Sequence, residues 1–528
     1  MKPPFLIDGK TESVVLQAAD PLALRDLLPR SRTLPHPDWN FAVHHTLEST
    51  KVLRNLGFEV PAPIRSQYAW TGRYKPYDHQ IQMAEFLTLH RRCFNLSEMG
   101  TMKTNASLWA ADWLMKTGRV RKALIISPLS TLKTVWQDDC FDTLPHRTAA
   151  VLHGSKARRL KYLAIEADFY ILNHDGLKIG ELAEAIRKRP DIDLVIVDEA
   201  GMFRNPSSAK YKALFKLLNA RPDMRLWLMT GTPCPNAPTD AWGLARLVDP
   251  NRVPKFLGAF KSDTMLKVSN FKWVAKHDAY AKAYNAMQPA IRFKKKDCID
   301  LPPVVTIPHS AALTPAQAAV VKQLKEHMVT TAAGGTKITA ANAADQINKM
   351  RQVMCGALKD PATGNYLPIP HEPRLKALLG AIQSASAKVI VVVPFKGITR
   401  ILEQEVTKAG YSCAVVNGDI PMGKRADIFK AFKTTSDPHV LLCHPAVMAH
   451  GLNLTEADTL IFYAPIYSND EVEQVNERFN RAGQTRSMTI VRIGAHPLEW
   501  AIYKLTDTRK QAQNGILELY EQAMRETY

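Results

Sequence analysis

The chain has 528 residues, 46% apolar and 23% charged, a composition that excludes a disordered or collagen-like protein. Its net charge of +19 points to a polyanionic partner, of which nucleic acid is the commonest. Seven scattered cysteines with no C-x-x-C pair argue against a zinc site or disulfide framework and fit a reducing cytoplasm, and neither a membrane-length apolar run nor an apolar signal core at MKPPFLIDGK is present.

Residues 1–70 carry no catalytic pattern and read as a small accessory domain, with helices over 22–28 and 45–56 on either side of a Pro-bearing stretch. Its His44-His45 pair reads as surface, since no third ligand has metal-site spacing. YKPYDHQ at residues 74–80 then leads into an apolar helical run over 81–89. Gln80 could read both edges of adenine with one amide, or simply cap the helix start.

NLSEMGTMKT at residues 95–104 precedes a second helical run over 105–116. A glycine turn closing on Lys-Thr at a helix start is the core of a nucleotide-phosphate loop, because turn and helix N–H groups converge on the phosphates. Lys103 would reach the β- and γ-phosphates and the Thr104 hydroxyl would hold Mg²⁺. Ser97 and Met102 stand where the full G-x-x-x-x-G-K-[ST] pattern has glycines, and only Gly100 remains.

Apolar runs at 123–127, 169–172, 194–197 and 226–229 read as buried strands alternating with amphipathic helices, hence a parallel sheet covered on both faces. The third runs into Asp198-Glu199-Ala200-Gly201, where Asp198 would hold Mg²⁺ through water and Glu199 would orient an attacking water. The fourth runs into Thr230-Gly231-Thr232-Pro233. Such strand-end motifs gather along one carboxyl edge, where open α/β sheets bind ligands.

Residues 252–300 hold eleven Lys and Arg against four Asp, interleaved with Phe256, Phe260, Phe271, Trp273, Tyr280, Tyr284 and Phe293. That mixture suits a nucleic-acid backbone and equally a solvated linker with core aromatics. A second α/β unit follows, with strands over 388–394, 414–416, 440–443 and 459–463, and TTAAGGT at 330–336 reads as a flexible loop. Near its end Gln474, Arg478 and Arg481 share one helical face, where the arginines could contact a γ-phosphate or form a surface salt-bridge face.

Taken together, residues 71–490 resemble the superfamily 2 helicase-type ATPases, and within them the Snf2 (SWI2/SNF2) group in its compact phage and bacterial form. The motifs fall in the family's order: Gln80, 98–104, 127–130, 198–201, 230–233 with Asn236, the RFKKKDCIDLPP junction at 292–303, 394–396, 451–455 and 474–484. The resemblance implies two RecA-like lobes, at 71–250 and 304–528, joined by a basic, aromatic segment at 251–303. It implies ATP contacts at Gln80, Glu98, Met99, Gly100, Thr101, Met102, Lys103, Thr104, Asp198, Gly451 and Gln474, with Mg²⁺ at Thr104 and Asp198. Glu199, Lys103, Arg478 and Arg481 are the implied catalytic residues, and Pro128, Ser130, Asn173, Thr232, Lys396 and Asn453 the implied DNA contacts.

The function implied is a monomeric, cytoplasmic, DNA-stimulated ATPase moving on duplex DNA, without a membrane role. It would serve phage or bacterial replication, recombination or repair, in the host cytoplasm if phage-encoded, with replication or recombination proteins as possible partners. The alternatives are a strand-separating or branch-migrating helicase, and a scaffold that binds ATP and DNA without turnover. Three departures from the family pattern stand out: Met102 for glycine, Gly201 for histidine and Glu477 for glycine. None removes a charged catalytic group.

Overall fold

A computed structural model describes residues 5–508 except 235–236, 270–272, 299–300, 334–339, 361–362, 449–453 and 481–483, with side chains also left aside at 325, 327–333, 340–344 and 422. It contains two compact units, the first holding the described residues through Cys298 and the second those beyond.

The first unit begins with four short strands, β1 (Phe5–Asp8), β2 (Ser13–Leu16), β3 (Ser31–Thr33) and β4 (Phe41–His44), in an antiparallel sheet of order β1-β2-β4-β3. The β1–β2 turn is set by Asp8, which accepts from the Lys10 N–H at 3.0 Å and the Thr11 hydroxyl at 2.6 Å. Helices Pro21–Leu27 and Leu47–Asn55 begin at side-chain caps, Asp20 and Thr46. Their apolar faces close a small core with Val14, Leu16, Phe41 and Leu53. This sheet was not legible in the sequence, and His45 corrects the surface reading of the histidine pair. It is buried, with its Nε2 2.8 Å from the Pro61 carbonyl, because β4 alternates and turns it inward while His44 faces out.

The main sheet of this unit has β5 (Arg92–Asn95), β6 (Lys122–Ser127), β7 (Ala149–Leu152), β8 (Phe169–Asn173), β9 (Ile192–Val197) and β10 (Arg225–Met229). A hairpin of β11 (Met265–Lys267) and β12 (Trp273–Ala275) intervenes before β13 (Ala290–Ile291) joins the sheet edge. The order is β13-β5-β10-β9-β6-β8-β7, all parallel. Apolar residues fill both faces. Leu124, Ile126, Val195, Val197, Leu226 and Leu228 point to one core; Ala123, Ile125, Leu194, Ile196, Trp227 and Met229 point to the other. Each fully buried Leu, Ile or Val of this kind contributes roughly 1.5–3 kcal/mol. The basic, aromatic stretch is largely built into this unit: Phe260 is buried, and Tyr280 and Tyr284 pack on the sheet's core.

The second unit has β14 (Val304–Ser310), a hairpin of β15 (Ala357–Lys359) and β16 (Tyr366–Pro368), then β17 (Lys388–Val392), β18 (Cys413–Val416), β19 (Val440–Cys443), β20 (Ala457–Phe462) and β21 (Met488–Gly494). Its parallel sheet has the order β14-β21-β20-β17-β19-β18. Val389, Val391 and Leu442 serve one core, Ile390, Val392 and Leu441 the other. The chain is therefore α/β, with two parallel-sheet domains and a small N-terminal antiparallel region. The loop expected at 330–336 is helical as far as it is described, since helix Pro315–Ala333 runs through Ala333; the remainder lies outside the described residues.

Candidate active site at the carboxyl edge of the first sheet

Five loops leave the same edge of the first sheet, after β5, β10, β9, β6 and β8. The loop after β5 is the phosphate-loop candidate. Thr101 closes it, its N–H and hydroxyl both donating to the Glu98 carbonyl, at 3.4 and 2.8 Å. Gly100 takes φ +83° and Met102 φ +58°, after which helix Lys103–Lys116 begins. Met102 thus occupies a left-handed conformation that favours glycine, the residue expected there. The Lys103 ammonium donates to the Ser97 carbonyl at 2.7 Å and the Glu98 carbonyl at 2.8 Å, so it lies across the mouth of the loop. The first N–H groups of this helix lack intrahelical acceptors and make an anion-binding end. Thr104 is its second residue, half-buried.

Gln80 caps its helix and also reaches the phosphate-loop candidate. Its Oε1 accepts from the Tyr77 N–H at 3.0 Å, capping helix Asp78–Leu89, while its Nε2 donates to the Met102 carbonyl at 3.3 Å. His79 stands beside it, 3.2 Å from the Thr101 carbonyl, with its ring stacked on Tyr77.

Asp198 and Glu199 leave β9. The Asp198 N–H continues the sheet to the Ile126 carbonyl at 2.8 Å, and its carboxylate accepts from the Glu199 N–H at 3.0 Å and Trp136 Nε1 at 3.1 Å. Glu199 adopts φ +49°, the kind of strained backbone that clusters at functional sites. His174, after β8, lies with Nε2 2.8 Å from the Asp198 carbonyl, and burial pushes its pKa down to about 4. Trp136 and His174 carry no site motif in the sequence, His174 reading only as part of a strand end. Trp136 lies on a π-helical turn, Leu132–Gln137, an element type frequent at functional sites, but no sequence pattern links either residue to Asp198.

After β10, the Thr230 N–H donates to the Asn95 carbonyl at 3.1 Å and its hydroxyl accepts from the Thr232 N–H at 3.2 Å. A Cβ on Gly231 would lie 3.4 Å from the Met99 nitrogen, so this loop packs on the phosphate loop. A Cβ on Gly201 would sit 3.7 Å from the Thr230 hydroxyl and from Arg204 Cζ, ordinary contact distances. Pro128 and Ser130 follow β6, and the side-chain Oδ1 of Asn173 accepts from Arg159 at 2.7 Å inside the unit. Asn236 lies outside the described residues.

Residues 289–293 run beside the phosphate loop: Phe94, Leu96 and Glu98 donate their N–H groups to the carbonyls of Pro289, Ile291 and Phe293. Glu98, expected at ATP, is here an acceptor for Arg292 and for the Lys295 N–H.

In the second unit, Lys396 opens helix Lys396–Lys408 and pairs with Asp419 at 2.7 Å. Gln474 and Arg478 are one turn apart on helix Asn469–Phe479, both half-buried. Gly451, Asn453 and Arg481 lie outside the described residues.

Among the described residues no group of three or more His, Cys, Asp or Glu side chains could hold a metal ion by itself. The carboxylate of Asp198 and the hydroxyl of Thr104 are hard oxygen donors that fit a magnesium ion also held by phosphates and water.

The SNF2-related domain matches residues 79–357 and the helicase conserved C-terminal domain residues 373–483. The putative protein p41 of Acyrthosiphon pisum secondary endosymbiont phage 1 is 24% identical, over 84% of this chain and 98% of its own. The uncharacterized ATP-dependent helicase MG018 of Mycoplasma genitalium is 25% identical over 75% of this chain, and the ATP-dependent DNA helicase DDM1 of Arabidopsis thaliana 23% over 80%. The chain spans 37% and 58%, respectively, of those two longer relatives. Among solved structures, a Sulfolobus solfataricus SWI2/SNF2 ATPase core in complex with dsDNA is similar at 20% identity, over 87% of this chain and 97% of that one, with a TM-score of 0.40. The class defined is a helicase-like ATPase, an ATP-hydrolysing enzyme built on two parallel-sheet domains. Within it, the chain belongs to the SNF2-related family.

Proposed function

We propose that this protein is a DNA-stimulated ATPase that moves along duplex DNA. The observation that carries the reading is the sheet order: the Lys103 loop follows β5, the Asp198-Glu199 pair follows β9, and only β10 lies between. In this reading Lys103 exchanges its two loop carbonyls for phosphate oxygens when ATP binds. Glu199 orients the water whose oxygen attacks the γ-phosphorus as the bond to ADP breaks. Gln80 reads adenine, and Arg478 and Arg481 stabilise charge that develops in the transition state. Magnesium, held by Asp198 and Thr104, would neutralise phosphate charge.

The net charge of +19 supports a nucleic-acid track, and backbone contacts would make it tolerant of sequence. Pro128, Ser130, Asn173, Thr232, Lys396 and Asn453 are its proposed contacts. The role proposed is in phage or bacterial DNA replication, recombination or repair, and the match along nearly the whole of a phage protein supports the phage setting alone. Among the described residues no helix is long and apolar enough to cross a membrane. The test is ATP hydrolysis with and without duplex DNA, followed by triplex-displacement and strand-displacement assays. Stimulation by duplex with triplex displacement alone fits the proposal. Efficient strand displacement would favour an unwinding helicase, and absence of turnover would favour a scaffold.

A further inference from the structure

A shallow cavity of about 490 Å³ lies on the first unit between helices Ala209–Ala220 and Ala241–Val248 and the following Lys255-Phe256, with Pro206 also in its lining. Lys212, Phe215 and Lys216 fall on one face of the first helix, at spacings of three and four. On the second helix, Arg246 lies over the ring of Phe215 at 5.7 Å, and its NH1 donates to the Lys255 carbonyl at 3.3 Å. The ring of Phe256 is 69% exposed, and the Lys255 ammonium stands 5.7 Å from its centre.

Four cations and one widely exposed aromatic ring, Phe256, therefore line one groove whose lining includes no carboxylate. Glu184, on which Lys216 acts, is itself bonded to Arg187. An exposed phenylalanine between lysines offers a base a stacking face and its phosphates two flanking charges. A duplex hides its base faces, and an acidic peptide has no use for the ring.

We infer that this groove binds a single nucleic-acid strand, stacking an unpaired base on Phe256 with the backbone on Lys212, Lys216 and Lys255. None of the lining residues is among the proposed ATP contacts, and the inference does not rest on the function proposed above.

The test uses the full chain and a fluorescent oligothymidylate, read by anisotropy across a salt series, with saturating unlabelled duplex present to occupy any duplex track. The unaltered protein should bind the strand. Phe256→Ala should weaken binding about tenfold or more, the usual scale for one lost base–aromatic stack. Lys212→Ala with Lys216→Ala should flatten the log–log salt dependence by about 0.7 per lost contact. All three side chains are exposed or at the helix surface, so the fold should hold, which thermal melting checks. Unchanged binding in both variants would overturn the proposal. So would competition by polyglutamate as strong as that by unlabelled oligothymidylate, which would mark an acidic-protein surface. Duplex-stimulated ATP hydrolysis in the same preparations separates this outcome from that of the proposed function, since these residues are not in the ATP site.

Discussion

Arg292 and Glu98 form an ion pair at 3.1 Å in which the guanidinium is 1% exposed and the carboxylate 33%. The same guanidinium donates to the Leu96 carbonyl at 3.0 Å, and the second carboxylate oxygen accepts from the Lys295 N–H at 2.9 Å. The last part of the first unit thus braces the opening of the phosphate loop from the side. Arg292→Gln should strand the Leu96 carbonyl and lower stability by about 1–3 kcal/mol. It should also raise the KM for ATP more than it lowers kcat, because the loop loses its support while Lys103 and Glu199 stay. Urea unfolding and steady-state hydrolysis on one preparation would show both.

Met102 should tolerate glycine. At φ +58° an L-residue is strained by about 1–2 kcal/mol, which glycine relieves while costing some unfolded-chain entropy, about 0.5–1 kcal/mol. Met102→Gly is expected to leave stability equal or slightly higher, with equal or faster turnover and unchanged DNA affinity. A large loss of turnover would show that the methionine side chain is used by the loop.

His174 sets a pH dependence. Its pKa falls from 6.5 to about 4 on folding, because burial disfavours the charged ring. Between those values the unfolded chain binds the extra proton, so this contribution to stability is complete above pH 6.5 and is lost as the pH falls toward 4, by about 1.4 kcal/mol per unit at most. His174→Gln, compared with the unaltered protein in denaturant titrations at pH 7 and 5, should show a smaller loss on acidification.

DNA affinity should fall steeply with salt, with a log–log slope of roughly −0.9 per phosphate neutralised. Little sequence preference is expected. Salt-insensitive binding, or a strong consensus site, would argue against a motor that follows the backbone.

The arginine helix gives a different signature. Arg478→Ala should leave nucleotide affinity largely intact and remove most DNA-stimulated hydrolysis, since its contact strengthens as charge develops. Arg481→Ala should behave likewise, and the double variant should be scarcely worse than either alone if the pair acts as a unit. Normal stimulated rates in both single variants would remove these arginines from the mechanism.

The buried strands were legible wherever the sequence is uninterrupted and apolar, as in Lys122–Ser127, Ile192–Val197 and Lys388–Val392, because strands covered on both faces admit little else. Strands interrupted by polar residues were not. The edge strand Val304–Ser310 carries Pro308 and His309 and is mostly exposed, and the interior strand Met488–Gly494 contains Arg492, which reaches out to Asp507. Ala290–Ile291 is too short to give a period. At the site, Lys103 and Asp198-Glu199 could be read from loop chemistry at strand ends. Arg292, Trp136 and His174 could not, since each meets its partner through pairing or packing between segments distant in sequence.

The most direct measurement is the rate of ATP hydrolysis with and without duplex DNA, in the unaltered protein and in Lys103→Ala. The account predicts a duplex-stimulated rate that falls about 10²–10³-fold or more when the loop ammonium is removed, as for loss of one preorganised contact to developing charge. Hydrolysis in Lys103→Ala at the unaltered, duplex-stimulated rate would contradict it.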